Sequence, residues 1–163
     1  MIVSNTSPLL YLAKLGKLEI LKKLFVKVFI PEEVYEEAVL NGKEFIDSKV
    51  IERAVNEKWI EVKSVSNKNK EIYDEIDIGE SAAIELAKTL NAKLLLIDDA
   101  PARVLAESFG LSVKGTLYIL LKAYNEKIIN KNEIKSLLSR LILLGFRISP
   151  ELYGEILEEI GKN

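Results

Sequence analysis

The sequence predicts an α/β fold with a mainly parallel sheet, right-handed crossovers and two closing C-terminal helices. Three observations predict it. Short apolar bursts alternate with stretches of helical apolar spacing along the whole chain. One burst, Leu94-Leu95-Leu96-Ile97, is apolar without interruption, as in a strand buried on both faces. Two acids, Asp98 and Asp99, stand where that burst stops, and functional groups of open parallel sheets collect beyond the carboxyl ends of strands.

The elements follow in order. Residues 2–4 form a strand. In Asn5-Thr6-Ser7-Pro8, Ser7 is expected to cap a helix opened by Pro8 and broken at Gly16, with a second helix running through Leu24. A strand is expected at 26–30, then a helix from Glu32 to Leu40 that ends near Asn41-Gly42. Ile46, Val50, Ile51, Ala54 and Val55 keep helical spacing, and Ile60 and Val62 alternate with charge as in a partly exposed strand. Residues 66–75 are polar, basic and aperiodic, which reads as a mobile loop. A small-residue helix begins around Glu80, and after the central burst come a helix from Pro101, a Gly110 stop, a strand at 111–113 and a helix from Thr116, with Thr116 as its cap. Asn130 with Glu133 forms a capping pair for a helix reaching Leu144, and Ser149-Pro150 starts the last one.

Composition narrows the chemistry. A chain of 163 residues can bury a full core, and its net charge of −2 gives no global basic footprint for nucleic acid. There is no cysteine and no histidine, so thiolate chemistry, imidazole catalysis and sulfur-ligated metals are excluded. A carboxylate-rich site without imidazole favours a hard cation, Mg²⁺ or Mn²⁺. No apolar run is long enough to cross a bilayer, and Met1 leads straight into a strand, so a cytoplasmic protein is expected.

One rim of the sheet is expected to gather Asn5 after the first strand, Glu36 and Glu37 on the helix after the second, Glu80 in the first turn of its helix, and Asp98 and Asp99. Crowded carboxylates repel one another unless a cation neutralises them. Each residue also has an ordinary reading. Asp77 with Glu80 matches a capping box. Asp99 suits a cap before Pro101, Arg103 suits an i to i+4 pair with Asp99, and the acids at 32, 33, 36 and 37 suit a solvated face.

The pieces IVSNTSPLLYLAKLGKLEIL, VFIPEEVYEEAV, IGESAAIELA, LLLIDDAPAR and GLSVKGTLYILLKA, in that order, resemble the PIN-domain superfamily, in particular its small prokaryotic proteins often encoded beside antitoxin-like partners. The resemblance covers residues 1–126, leaving 127–163 as a helical extension packed on the same domain. It implies a three-layer sandwich with a parallel five-stranded sheet and a Mg²⁺- or Mn²⁺-dependent ribonuclease, commonly a homodimer. Position by position, the superfamily's acids fall on Asn5, on Glu37 (or Glu36 if the register moves by one), on Glu80, and on Asp98 or Asp99. Thr6 and Ser7 match its hydroxyl positions, and Arg103, Lys68 or Lys70 is placed to contact substrate phosphates.

Asn5 departs from the pattern, which has Asp there. An amide oxygen can ligate Mg²⁺ but lacks the charge that raises affinity. Two readings stay open: a weakened ribonuclease, such as the toxin of a toxin–antitoxin pair, and a catalytically inactive module that binds RNA or protein. The apolar residues Leu137, Leu138, Leu141, Ile142, Leu143 and Leu144 suit either packing on the sheet or an interface with a second subunit or an antitoxin-type partner.

Overall fold

A computed structural model describes residues 1–162. The chain divides into two compact units, one from Met1 to Ile119 and one from Leu120 onward. The first holds a five-stranded parallel sheet of β1 (Ile2–Ser4), β2 (Val28–Pro31), β3 (Ile60–Lys63), β4 (Leu94–Leu96) and β5 (Val113–Lys114), in the order β3-β2-β1-β4-β5. All four pairings are parallel.

The helices of this unit are α1 (Thr6–Lys14), α2 (Glu19–Phe25), α3 (Glu32–Tyr35), α4 (Ile46–Asn56), α5 (Lys70–Tyr73), α6 (Ile78–Thr89) and α7 (Ala100–Ser108). The chain steps one way from β1 through β2 to β3, then the other way from β4 to β5. Right-handed connections running in opposite directions place their helices on opposite faces. The packing agrees: α1 lies against α4, α6 against α7, and α6 crosses β1, β2 and β4. Between sheet and helices sits a dry core that includes Val3, Ile84, Leu95, Ile97, Ala102 and Ala106, each fully buried.

The differences from expectation have local causes. Helix α1 starts at Thr6, two residues early, and Asn5 occupies the cap position without a side-chain cap bond. Pro8 fits inside the first turn because amides there have no helical partner. The second strand starts at Val28, since Val26 closes α2 with φ of 67° and donates its N–H to the Lys22 carbonyl. Helix α3 continues as a π-helical turn over Glu36–Leu40, in which the Asn41 N–H reaches back to the Glu36 carbonyl at 2.9 Å. The stretch expected to be a mobile loop contains α5, whose first turn is capped by the Asn69 side chain and anchored by fully buried Ile72.

Helix α8 (Thr116–Asn125) spans the division between the units. The second unit continues with α9 (Lys131–Leu143) and α10 (Pro150–Gly161). Asn130 and Glu133 form the complete capping box, and Ser149 caps α10 through the Leu152 N–H. Along α9, Ile134, Leu137, Leu138 and Leu141 are buried while Leu143 is 85% exposed, so the apolar stripe ends before the helix does.

Leu95→Ala should cost about 2–5 kcal/mol by urea denaturation, because it opens a cavity in the middle strand layer. Leu143→Ala should change stability by less than about 0.5 kcal/mol, as at an exposed position.

Candidate active site

The strand order reverses between β1 and β4. Their chains leave in opposite directions, and sheets of this kind bind ligands beyond the carboxyl ends at such a switch point. The Asn5 N–H extends the pairing by donating to the Leu96 carbonyl at 2.8 Å, so Asn5 is fixed beside the exit of β4. Its side chain is buried and its Oδ1 has no hydrogen-bond partner. A buried acceptor left open in this way is costly and suits a ligand.

Thr6, the next residue, turns its hydroxyl to Glu37 and donates to Oε2 at 2.7 Å. This bond ties the exit of β1 to the π-helical turn. The carboxylate of Glu37 also lies against Gly79 in the first turn of α6: a Cβ at residue 79 would stand 2.7 Å from the Glu37 Cδ. The i to i+5 turn shifts the helix register by one residue, and such bulges recur at functional sites.

Glu80 follows Gly79 on α6. Its carboxyl is pushed up from 4.5 to about 7, first by burial, then by the negative charges of Asp99 and Asp77, with a smaller push from Glu37; a hydrogen bond from the Asp77 backbone works the other way. That bond is half of the expected capping box; Asp77 makes no side-chain cap bond in return. Glu37, Asp77, Glu80 and Asp99 therefore share one electrostatic neighbourhood, although they come from three separate segments.

The two acids after β4 divide the work. Asp99 caps α7, with Oδ2 accepting from the Ala102 N–H at 3.0 Å, and its charge bears on Glu80. Asp98 accepts from the Thr116 N–H and hydroxyl, both at 2.7 Å. Burial pushes its carboxyl up, while those bonds and the Arg103 charge pull it down. Its Oδ1 sits against Gly115, where a Cβ would meet it at 2.5 Å, with Arg103 Nη1 at 3.2 Å from the same point. Thr116 is thus the first residue of α8 and a holder of Asp98, beyond the simple cap expected of it. Arg103 serves Asp98 electrostatically, where the spacing suggested Asp99.

Ser7 is half-buried in the first turn of α1, and Glu36 is exposed. Lys68 pairs with Glu33 at 3.7 Å and lies 5.8 Å from the centre of the Tyr73 ring. Lys70 is the first residue of α5. Sequence reasoning passed over Asp77, Gly79 and Gly115 as parts of the site; the glycines beside Glu80 and Thr116 were the available signal, readable only once something is known to pack on them.

Among the described residues, no three acids already stand close enough to hold an ion. The donor chemistry nonetheless fits a hard divalent cation: the open Asn5 Oδ1, the second oxygens of Glu37 and Asp99, and Glu80 are all oxygen donors with no competing nitrogen or sulfur.

A five-stranded parallel sheet flanked by helices, its order reversing between β1 and β4, defines the class, an α/β sandwich. More particularly, the chain belongs to the family DUF3368, described as a PIN domain, whose model matches residues 1–162. PIN domains are nuclease-type domains that generally use divalent metal ions. No curated protein and no solved structure matches the chain.

The raised carboxyl of Glu80 predicts a pH dependence. The metal-free folded state holds that proton more tightly than the unfolded chain, so its stabilisation is complete below the ordinary value of 4.5 and is lost as pH rises through about 7. In thermal denaturation with a chelator, the midpoint should fall between about pH 5 and about pH 8, and Glu80→Gln should flatten that fall.

Proposed function

We propose that this protein is a Mg²⁺- or Mn²⁺-dependent ribonuclease of the cytoplasm that hydrolyses RNA phosphodiesters. The observation that carries the reading is Glu80, half-buried and crowded by Asp99, Asp77 and Glu37 at the rim where β1 and β4 end. Like charges gathered at such a cost make sense where a cation joins them. Glu37, Glu80 and Asp99 would hold it with Asn5 Oδ1, after rotation of side chains from the positions described above. Asp98, bonded to Thr116 and lying against Gly115, would steady the loop that carries Asp99.

When bound, the cation supplies an activated water and offsets charge developing on phosphorus. The chain supplies the rest. Thr6 holds one Glu37 oxygen so that the other keeps a fixed direction, and the Asp99 cap does the same for its carboxylate. Arg103, half-buried beside Asp98, adds positive charge near the rim for a substrate phosphate.

Two features of the reading concern partners. The 85% exposed Leu143, with Ile142 and Leu144 partly exposed, supports a homodimer or an antitoxin-type protein covering the end of α9. The second reading, an inactive RNA- or protein-binding module, is favoured by one residue: Asn5 brings a neutral amide where the resemblance has an acid.

Mn²⁺ calorimetry and RNA cleavage on the same preparations separate the two. Asn5→Asp should raise metal-dependent cleavage by roughly 10-fold or more by adding a charged ligand, and Glu80→Gln should lower it by roughly 100-fold. Absence of cleavage in every form, with no Mn²⁺ bound, would leave the binding module standing.

A further inference from the structure

We propose that Gly79 is a positioning residue for Glu37: the missing side chain at residue 79 makes the seat on which the Glu37 carboxylate rests. This deepens the metal-dependent reading above and rests on it for its functional meaning, though the contact itself belongs to the protein without any ligand.

The argument begins with space. A Cβ at residue 79 would stand 2.7 Å from both Cδ and Oε2 of Glu37, where ordinary van der Waals contact begins at 3.4 Å. Gly79 is buried, with helical backbone in the first turn of α6, so no unusual φ calls for glycine there. In a helix, glycine is otherwise a disadvantage relative to alanine. The close approach of Glu37 is what the position gains in exchange.

Glu37 and Asp98 are seated alike, each carboxylate against a glycine. Asp98 is held by two hydrogen bonds from Thr116, so it has a tether of its own. Glu37 accepts from the Thr6 hydroxyl on Oε2. With the seat filled, the flexible carboxylate moves away, strains or breaks the Thr6 bond, and leaves the neighbourhood of Glu80. The fold tolerates the change because the atom in the way is the end of a long side chain rather than backbone.

A compensating pair tests this. Gly79→Ala adds one methyl, and Glu37→Asp withdraws the carboxylate by about 1.5 Å, one carbon–carbon bond. Two measurements are made on the wild type, both single variants and the double variant: urea unfolding of the chelated protein, and Mn²⁺ affinity by calorimetry. In the wild-type background, Gly79→Ala should destabilise the metal-free protein and weaken Mn²⁺ binding by roughly 10-fold, the usual scale for a group that orients a ligand. In the Glu37→Asp background it should stabilise, as alanine does in a helix, and change Mn²⁺ affinity by less than about 2-fold.

If Gly79→Ala has the same effect on stability in both backgrounds, the two residues are uncoupled and the proposal is overturned. Coupling in unfolding with no Mn²⁺ binding by the wild type would keep Gly79 as the seat of Glu37 and overturn the metal-dependent reading instead. Mn²⁺ binding without coupling would do the reverse.

Discussion

Ile2, Val3 and Ser4 pair with Leu94, Leu95 and Leu96, and the Asn5 N–H carries the ladder one step further to the Leu96 carbonyl. Everything at the rim is placed by that register. Because the two strands are parallel, their carboxyl ends coincide; because the chain departs from them in opposite directions, the exits stay open between them. Sliding the pair by one residue would reverse which faces Val3 and Leu95 present, and both are fully buried. The core therefore locks the position of Asn5 relative to Asp98 and Asp99, and hydrophobic burial sets the geometry of a polar site.

The site built on that register is under electrostatic tension. Glu80 shares its surroundings with three other acids, and burial alone already opposes its charge. Two acids of the group are steadied by neutral donors, Glu37 by a hydroxyl and Asp99 by a backbone amide at a helix start. These bonds fix direction without cancelling charge. Asp98, with the Arg103 charge acting on it, accepts from the N–H and hydroxyl of Thr116 at the start of α8. The adjacent acids after β4 thus make separate contacts, Asp99 with the first turn of α7 and Asp98 with the first residue of α8.

Much of the architecture was legible in the chain. The uninterrupted apolar run at 94–97 gave β4, helical apolar spacing gave α4, the small-residue stretch around Glu80 gave α6, and the Asn130–Glu133 and Ser149–Pro150 pairs gave the starts of α9 and α10, because capping is local chemistry. The convergence of Glu80 with Asp99 was also expected from strand ends. Less legible were features decided by a distant partner. Thr6 begins α1 and bonds Glu37 across 31 residues, so the Ser7-Pro8 signal lost the helix start. Ile72 fits a pocket in the core and turns a polar stretch into α5.

The sequence by itself determined the kind of fold and the absence of imidazole and thiolate chemistry, since these follow from periodicity, capping and the lack of histidine and cysteine. Tertiary structure alone decided which acid faces which. Asp98 and Asp99 are neighbours of one type, and only the approach of Thr116 and Gly115 from beyond β5 separates their roles. Gly79 and Glu37 are likewise unrelated in the chain until α3 packs on α6. A side chain's direction depends on which atoms crowd it, and those atoms come from segments that local sequence does not name.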